Sequence, residues 1–496
     1  MDTFIAPTHA AQSVLQQFQA SLVTPSSTQH DATIAALADG LIGNHAVVEG
    51  PFGAQPMIYA DYVASGRALM QVERFILEQV LPFYANSHTE ASYCGGFITR
   101  LRREARATVA RCCGATSKHA VIFAGSGATA GINRLVNLFG VRAALAAGKK
   151  VRVIIGPYEH HSNILPWREC GAELVVLPEC AAGGPDPVAL QAALDTAGDA
   201  LTICAFSAAS NVTGIVADVT AITRQVKQAG AKILWDYAGG APYLPIHMTP
   251  ADDAPIDAIV FSPHKFIGGP GASGILIVRH DAVVTSTPTW PGGGTVKFVS
   301  PQGHDYSDNL ESREEAGTPN VIGDIRAALA LLVKEAIGDA YFKQRQAELV
   351  QRAIDAWKNA EHLELLGPLT TERLPIFSFR IHNPQGGLVH QQLITRMLSD
   401  RFGIQARGGC ACAGPYVHDL LDIDMSQSAQ MRQAILDGRE IEKPGFTRLN
   451  LSVLLTDSKA DFILASVLKL AADAPKYEDQ YTFDPARAIF SPKLAA

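Results

Sequence analysis

Cysteine is scarce in this chain, eight residues in 496. So few thiols exclude a small disulfide-stapled scaffold, and in a reducing compartment most are expected to be free. The one close pair, Cys410-Ala411-Cys412, has no second Cys or His pair of matching spacing, which speaks against a metal centre. Lys and Arg are missing before Arg67, which predicts neither a signal-peptide head nor an Arg-rich transit segment, and hence a cytoplasmic protein. Long apolar runs are missing too: none reaches the roughly 18 residues of a membrane-spanning helix. Neither sign of charge dominates. With 41 Lys and Arg against 48 Asp and Glu, the net charge of -7 argues against nucleic acid or an anionic membrane as partner. Glycine (42) and proline (28) show no period, which excludes a collagen-like chain. What the chain does have is apolar surface, 47% of residues against 18% charged, more than a disordered state could leave in water.

Three stretches differ in pattern. Residues 1–50 read as a helical extension that clasps the body or a partner subunit. Apolar periodicity over Ala11–Val23, stopped by Thr24-Pro25-Ser26-Ser27, predicts one helix, and Asp31 is the expected N-cap of another running to Leu41. Residues 51–324 form the large unit, where short β-branched runs alternate with helical patterns. The runs are Ala120–Phe123, Val151–Ile155, Leu174–Leu177, Thr202–Phe206, Ile233–Trp235, Ala258–Phe261 and Gly274–Val278. Continuous apolar runs with helix-length spacers predict strands buried on both faces of a mostly parallel, seven-stranded sheet in an α/β/α sandwich. One spacer is explicit: Asp218 caps, Val219, Ile222 and Val226 make the stripe, and Gly230 ends it. Residues 325–496 predict a long helix from Ile325 to about Ala360, then a smaller α+β domain. Its expected parts are a strand at Ile376–Ile381, a helix at Val389–Arg401, a loop at Arg407–Pro415, a strand at Arg448–Val453 and a helix at Ala460–Leu470.

Ligands on such sheets sit beyond the carboxyl ends of the strands, so the residues after each run are the candidates. Gly125-Ser126-Gly127-Ala128-Thr129 opens a helix whose backbone amides attract an anion, without the lysine of a nucleotide P-loop. His160-His161 follow the second run, Asn211 the fourth, and Asp236 the fifth. A carboxylate in that last position must be paired or stand at the sheet edge. Ser262-Pro263-His264-Lys265 follow the sixth run, and a desolvated lysine of lowered pKa is a Schiff-base former. One ligand accounts for the set. A phosphate suits the Thr129 turn, Ser262 and His264; an aldehyde suits Lys265, a pyridine nitrogen Asp236, and an aromatic ring a stacking His160. That ligand is pyridoxal 5′-phosphate, whose protonated ring accepts electrons from a carbanion at the substrate Cα.

From about Tyr59 to Leu455 the sequence resembles the class V aminotransferase superfamily of fold-type I pyridoxal-phosphate enzymes, and within it the cysteine desulfurases and selenocysteine lyases. Asp61-Tyr62-Val63-Ala64-Ser65 is similar to the family's opening strand, Ser126-Gly127-Ala128-Thr129 to its phosphate turn, and Glu159-His160 to its ring-stacking histidine. Asn211 sits like the asparagine near the ring hydroxyl, Asp236 like the pyridinium partner, and Ser262-Pro263-His264-Lys265 like the Schiff-base segment. The resemblance implies a homodimer in which Thr318, in Ala316-Gly317-Thr318-Pro319, reaches the other subunit's phosphate. It implies that Arg448 holds the substrate carboxylate, with Arg407 as a second contact, and that His160 both stacks and shuttles a proton. It also makes Cys412 the nucleophile that takes sulfur as a persulfide, its thiolate favoured by Arg407, and leaves Cys410 as an extra thiol.

Two positions depart from the family pattern: Gly239 stands where desulfurases carry a Gln, and Ala130 where Glu is common. The expected activity is removal of sulfur or selenium from L-cysteine or L-selenocysteine, giving L-alanine, with a sulfur-acceptor protein as a possible partner. A transaminase and a C–S lyase running β-elimination stay open, supported by Gly239. A non-catalytic scaffold stays open too, opposed by the intact Lys265.

Overall fold

The structure is a computed structural model that describes residues 13–22 and 29–493. All of the short apolar runs lie in one sheet. Its strands are β1 (His119–Gly125), β2 (Val151–Ile155), β3 (Glu173–Val176), β4 (Leu201–Ser207), β5 (Lys232–Asp236), β6 (Ala258–Phe261) and β7 (Gly274–Arg279), in the order β1-β7-β6-β5-β4-β2-β3. β7 runs antiparallel to both neighbours and every other pairing is parallel, so the remaining six carboxyl ends point one way. The runs are apolar at nearly every position because both faces are covered; Thr202 and Arg152, which pairs with Glu173 on the neighbouring edge strand, are the exceptions. Ala120, Ile122, Val153 and Leu234 pack into one core, while Val121, Phe123, Ile233 and Trp235 pack into another on the opposite face. The spacer helix Val219–Gln228 starts as expected, Asp218 accepting from the Ala221 N–H.

The helices Val14–Leu22 and Gln29–Asp39 bury Leu15, Phe18, Leu22 and Leu37 in the second of these cores, a clasp on the body of the same chain. Ala11, Val23 and the stop at Thr24–Ser27 lie outside the described residues. Asp31 is not a cap. It sits inside the first turn of the second helix, where a negative charge still faces the positive end of the helix dipole, and that helix ends at Asp39 rather than Leu41.

The expected long helix is two, Val321–Ile337 and Asp339–Trp357, joined at Gly338 with φ +83°, a conformation that costs glycine little. Beyond it a smaller sheet forms from β8 (Leu363–Leu365), β9 (Ile376–His382), β10 (Arg407–Gly409) and β11 (Phe446–Asn450), in the order β8-β9-β11-β10 and antiparallel throughout. Part of the expected 407–415 loop is therefore strand, and Gly414–Leu420 is already helix. The last strand ends at Asn450 rather than Val453, and the helix after β9 spans Gln391–Phe402. The terminal helix runs from Asp457 to Tyr477, and a hairpin, Tyr481–Asp484 with Ile489–Pro492, follows it.

Asp61–Ser65 is a turn, not a strand. The strand is the preceding Ile58–Tyr59, which pairs in parallel with Ile404–Gln405 and delivers Asp61 to the edge of the small sheet. No helix among the described residues is long and apolar enough to cross a membrane.

Candidate active site

The carboxyl ends of the large sheet and the edge of the small one enclose a cavity of about 290 Å³. Gly127, Ala128, Thr129, His160, Asn211, Asp236, Ser262, His264, Lys265, Arg407, Cys412 and Arg448 all line it, whereas Thr318, the second histidine His161 and the extra thiol Cys410 do not. Thr318 is exposed in the turn before the helix Val321–Ile337. A larger opening of about 570 Å³ lies elsewhere, between Arg102, Arg103, Arg106 and Glu315. Its charges are consumed internally: Arg102 pairs with Glu315 and Asp324, and Arg106 with Glu315.

At the first strand end the helix Gly127–Leu138 starts without a side-chain cap from Ser126. Gly127 sits at φ +62°, and a Cβ there would meet Ser262 Oγ at 2.8 Å. The absence of a side chain lets Ser262 reach in, where its Oγ accepts from the Ala128 N–H at 2.9 Å. As the acceptor in that bond, Ser262 keeps its hydroxyl proton for an anion. The Thr129 and Ser162 hydroxyls are 2.7 Å apart, and Ser162 Oγ lies 3.0 Å from His160 Nδ1, so one chain of contacts links the turn to the imidazole.

His160 Nδ1 accepts from the Ser162 N–H at 3.1 Å, which places the proton of the neutral ring on Nε2. Burial, then Lys265, His161 and Arg448, hold this ring down to about 4, so it stays uncharged at neutral pH. Glu159 anchors it from behind. This buried carboxylate accepts from Ser207 N (2.8 Å), Ser207 Oγ (2.6 Å) and Asn163 Nδ2 (2.7 Å), tying the turn to the end of β4.

Burial raises Glu159 from the ordinary 4.5 to about 7 despite these donors. The folded chain therefore binds a proton that the unfolded chain has released. Stability from this group is full below about pH 4.5 and is lost as pH climbs through about 7. Glu159→Gln should remove that slope and, by turning an NH₂ toward at least one donor, cost about 1–3 kcal/mol. Urea denaturation of both proteins from pH 5 to 8 measures both effects.

Asp236 ends β5 almost fully buried, its Oδ1 accepting from the Ala238 N–H at 2.8 Å. Burial pushes it up, and the Ala238 bond and Lys265 oppose the shift. Lys265, on the one-turn helix after β6, is lowered to about 8 by burial, with Asp236 and Cys412 pulling up and Arg448 and Arg407 pulling down.

On the small-sheet side Arg407 and Arg448 are direct cross-strand partners. Like charges in that register repel. Asp61 resolves the conflict, its Oδ2 accepting from Arg407 Nε at 2.9 Å and its Oδ1 from an Arg448 terminal nitrogen at 3.3 Å. Arg448 also donates to the Asn211 carbonyl at 2.9 Å, and Asn211 Nδ2 donates to the Ala411 carbonyl at 2.8 Å. Cys412 follows, exposed, with φ +54°. A Cβ at Gly239, where the family carries Gln, would lie 3.0 Å from the Ala209 carbonyl oxygen, so a side chain there needs that backbone to give by a few tenths of an ångström.

The residues present fit pyridoxal phosphate. A helix start without a cap from Ser126, together with the Ser262 hydroxyl, suits the phosphate, an uncharged His160 suits stacking on the ring, buried Asp236 suits the ring cation, and Lys265 is basic enough to hold the aldehyde yet partly neutral near pH 8. The sequence pointed to these positions. It gave no sign of the charge role of Asp61 or the tether from Ser207 to Glu159, both of which depend on distant segments meeting.

The chain is similar to known proteins over most of its length. The family model described as aminotransferase class-V matches residues 58–434. A cysteine desulfurase of Yersinia pestis (strain Pestoides F) is 32% identical over 371 residues, covering 73% of this chain and 85% of that protein. The fold is similar to the cysteine desulfurase CsdA of Escherichia coli, with TM-score 0.69 at 23% identity over 89% of this chain and 98% of the other. It is similar as well to the cysteine desulfurase of Thermococcus onnurineus NA1, with TM-score 0.68 at 23% identity over 84% of this chain and 95% of the other. The chain belongs to the class V aminotransferase family of pyridoxal-phosphate-dependent enzymes.

Proposed function

We propose that this enzyme is a cysteine desulfurase, converting L-cysteine, or L-selenocysteine, to L-alanine and leaving the sulfur or selenium on Cys412. One observation carries the reading: an exposed thiol borders the same cavity as Lys265 and a cross-strand arginine pair. The 32% identity to a protein named a cysteine desulfurase supports it.

Arg448 and half-exposed Arg407 bind the substrate α-carboxylate, and Asp61 orients both guanidiniums toward one point. When bound, the cofactor supplies an electron-withdrawing ring that lets the Cα proton leave. Lys265 Nζ, at about 8, takes and returns protons at neutral pH. His160, uncharged and with its Nδ1 lone pair engaged, stacks and donates through Nε2–H rather than acting as a strong base. The Cys412 sulfur then attacks the substrate sulfur. The S–S bond forms as the C–S bond breaks, the electron pair stays with the substrate carbon, and a proton completes the methyl group of alanine. The exposed position of Cys412 suits hand-over to an acceptor protein, and the exposed Thr318 suits a second copy of the chain whose cavity it would complete.

Purified enzyme given L-cysteine and a thiol reductant tests this. Sulfide and alanine should appear in equal amounts without pyruvate. Pyruvate with sulfide identifies a C–S lyase, and a keto acid that keeps its sulfur identifies a transaminase.

A further inference from the structure

The reaction above uses His160 but gives no part to its neighbour His161. That residue is bound to the turn carrying Cys412. The His161 N–H donates to the Cys412 carbonyl at 2.8 Å, and the Gly414 N–H donates to His161 Nε2 at 2.9 Å. From the other side Asn211 Nδ2 holds the Ala411 carbonyl. Between these anchors Ala411 and Cys412 adopt φ +52° and +54°, a left-handed conformation that residues with a Cβ hold only when their surroundings impose it.

Gly414 opens the helix Gly414–Leu420, whose Ala413 cap supplies no side-chain acceptor. Its N–H is one of the donors a helix start leaves unmade, and His161 accepts it from another part of the chain. The packing is close, since a Cβ on Gly414 would lie 3.0 Å from His161 Nε2. Burial, with Lys443 and Arg168 nearby, holds His161 below its ordinary value, which keeps that lone pair available.

We infer that His161 is a positioning residue for the Cys412 sulfur: through the Cys412 carbonyl and the Gly414 amide it keeps the strained turn in the shape that presents the thiol to the cavity. This deepens the desulfurase reading and rests on it. The backbone half of the clamp survives any side-chain change, so substitution tests the Nε2 half. Loss of that acceptor frees the start of the helix and lets Ala411 and Cys412 relax toward ordinary φ, carrying the sulfur away. Cofactor and amino-acid binding depend on Lys265, Asp236 and the arginines, none of which His161 holds in place.

The test uses holoenzyme carrying His161→Ala, His161→Gln or His161→Asn. Gln can offer a carbonyl oxygen near the Nε2 position, whereas Asn is too short. Three quantities are measured: single-turnover persulfide formation on Cys412 from L-cysteine, the rate of Cys412 alkylation by iodoacetamide read by peptide mapping, and L-alanine affinity with the visible cofactor absorbance. Ala and Asn variants should form persulfide about tenfold more slowly or worse and alter the alkylation rate about threefold, with alanine affinity and absorbance unchanged. The Gln variant should recover most of the rate. Should the Ala variant fail to fold, the contrast between Gln and Asn decides. Wild-type persulfide rates in the Ala or Asn variant, or alanine affinity falling in step with them, would overturn the inference. If wild-type enzyme itself forms no persulfide from L-cysteine, the desulfurase reading fails separately, and the alkylation rates still decide the role of His161.

Discussion

Cys412→Ala enzyme should bind its cofactor and L-alanine normally yet release sulfide from L-cysteine about 10³-fold more slowly or worse. The reason is the split of labour in the cavity. Lys265, Asp236 and His160 stand at the ends of the large sheet, while Cys412 stands on a separate turn after the small-sheet strand β10. Removing one sulfur atom from an exposed position leaves the packing beneath intact, since the apolar cluster under the turn is built from Tyr158, Val212, Tyr416 and Phe446. No other thiol among the described residues borders the cavity; Cys410, two residues away, packs against that apolar cluster. Sulfide assay and cofactor absorbance on the same preparation separate the two functions. Elimination that continues at the wild-type rate would assign the enzyme to the C–S lyases.

Lys265→Ala should do greater damage. Proton transfer by a positioned side chain is worth about 10²–10⁴-fold, and this residue also carries the attachment point of the cofactor, so both turnover and cofactor retention should fall. The pH dependence of reconstitution is a finer expectation. A lysine at its ordinary 10.5 would be almost wholly protonated at pH 8, whereas Lys265, near 8, is about half neutral there. Capture of the aldehyde by apoprotein requires the neutral amine. Its rate should therefore rise with pH through about 8 and level off above, as stopped-flow absorbance would record.

Much of this was legible in the chain because the large sheet is buried on both faces. Burial on two sides forces runs such as Ile233–Trp235 to be apolar throughout, and whatever polar residue ends such a run, as Asp236 does, stands out. Features set by distant segments were not legible. The break at Gly338 sits inside an unbroken helical pattern, and only the packed structure shows that the chain turns there. Asp61 reads as part of an extended stretch. Its position between Arg407 and Arg448 exists only once Ile58–Tyr59 has paired with Ile404–Gln405. His161 was visible as half of a histidine pair, but its partner Gly414 is hundreds of residues away in sequence.

A second lysine makes the most direct test a sharp one. Lys334 is also lowered to about 8 by burial, but its Nζ donates to the carbonyls of Ala241 and Leu244 and is committed to holding that turn. A shifted pKa alone would not choose between the two; the placement of Lys265 beside Asp236, Ser262 and the Thr129 turn does. Borohydride reduction of yellow holoenzyme, followed by proteolysis and mass spectrometry, fixes the cofactor on the side chain that holds it. The account predicts the pyridoxyl mass on Lys265 alone. The same mass on Lys334 or elsewhere, or an unmodified Lys265 peptide from fully reduced yellow protein, would contradict it.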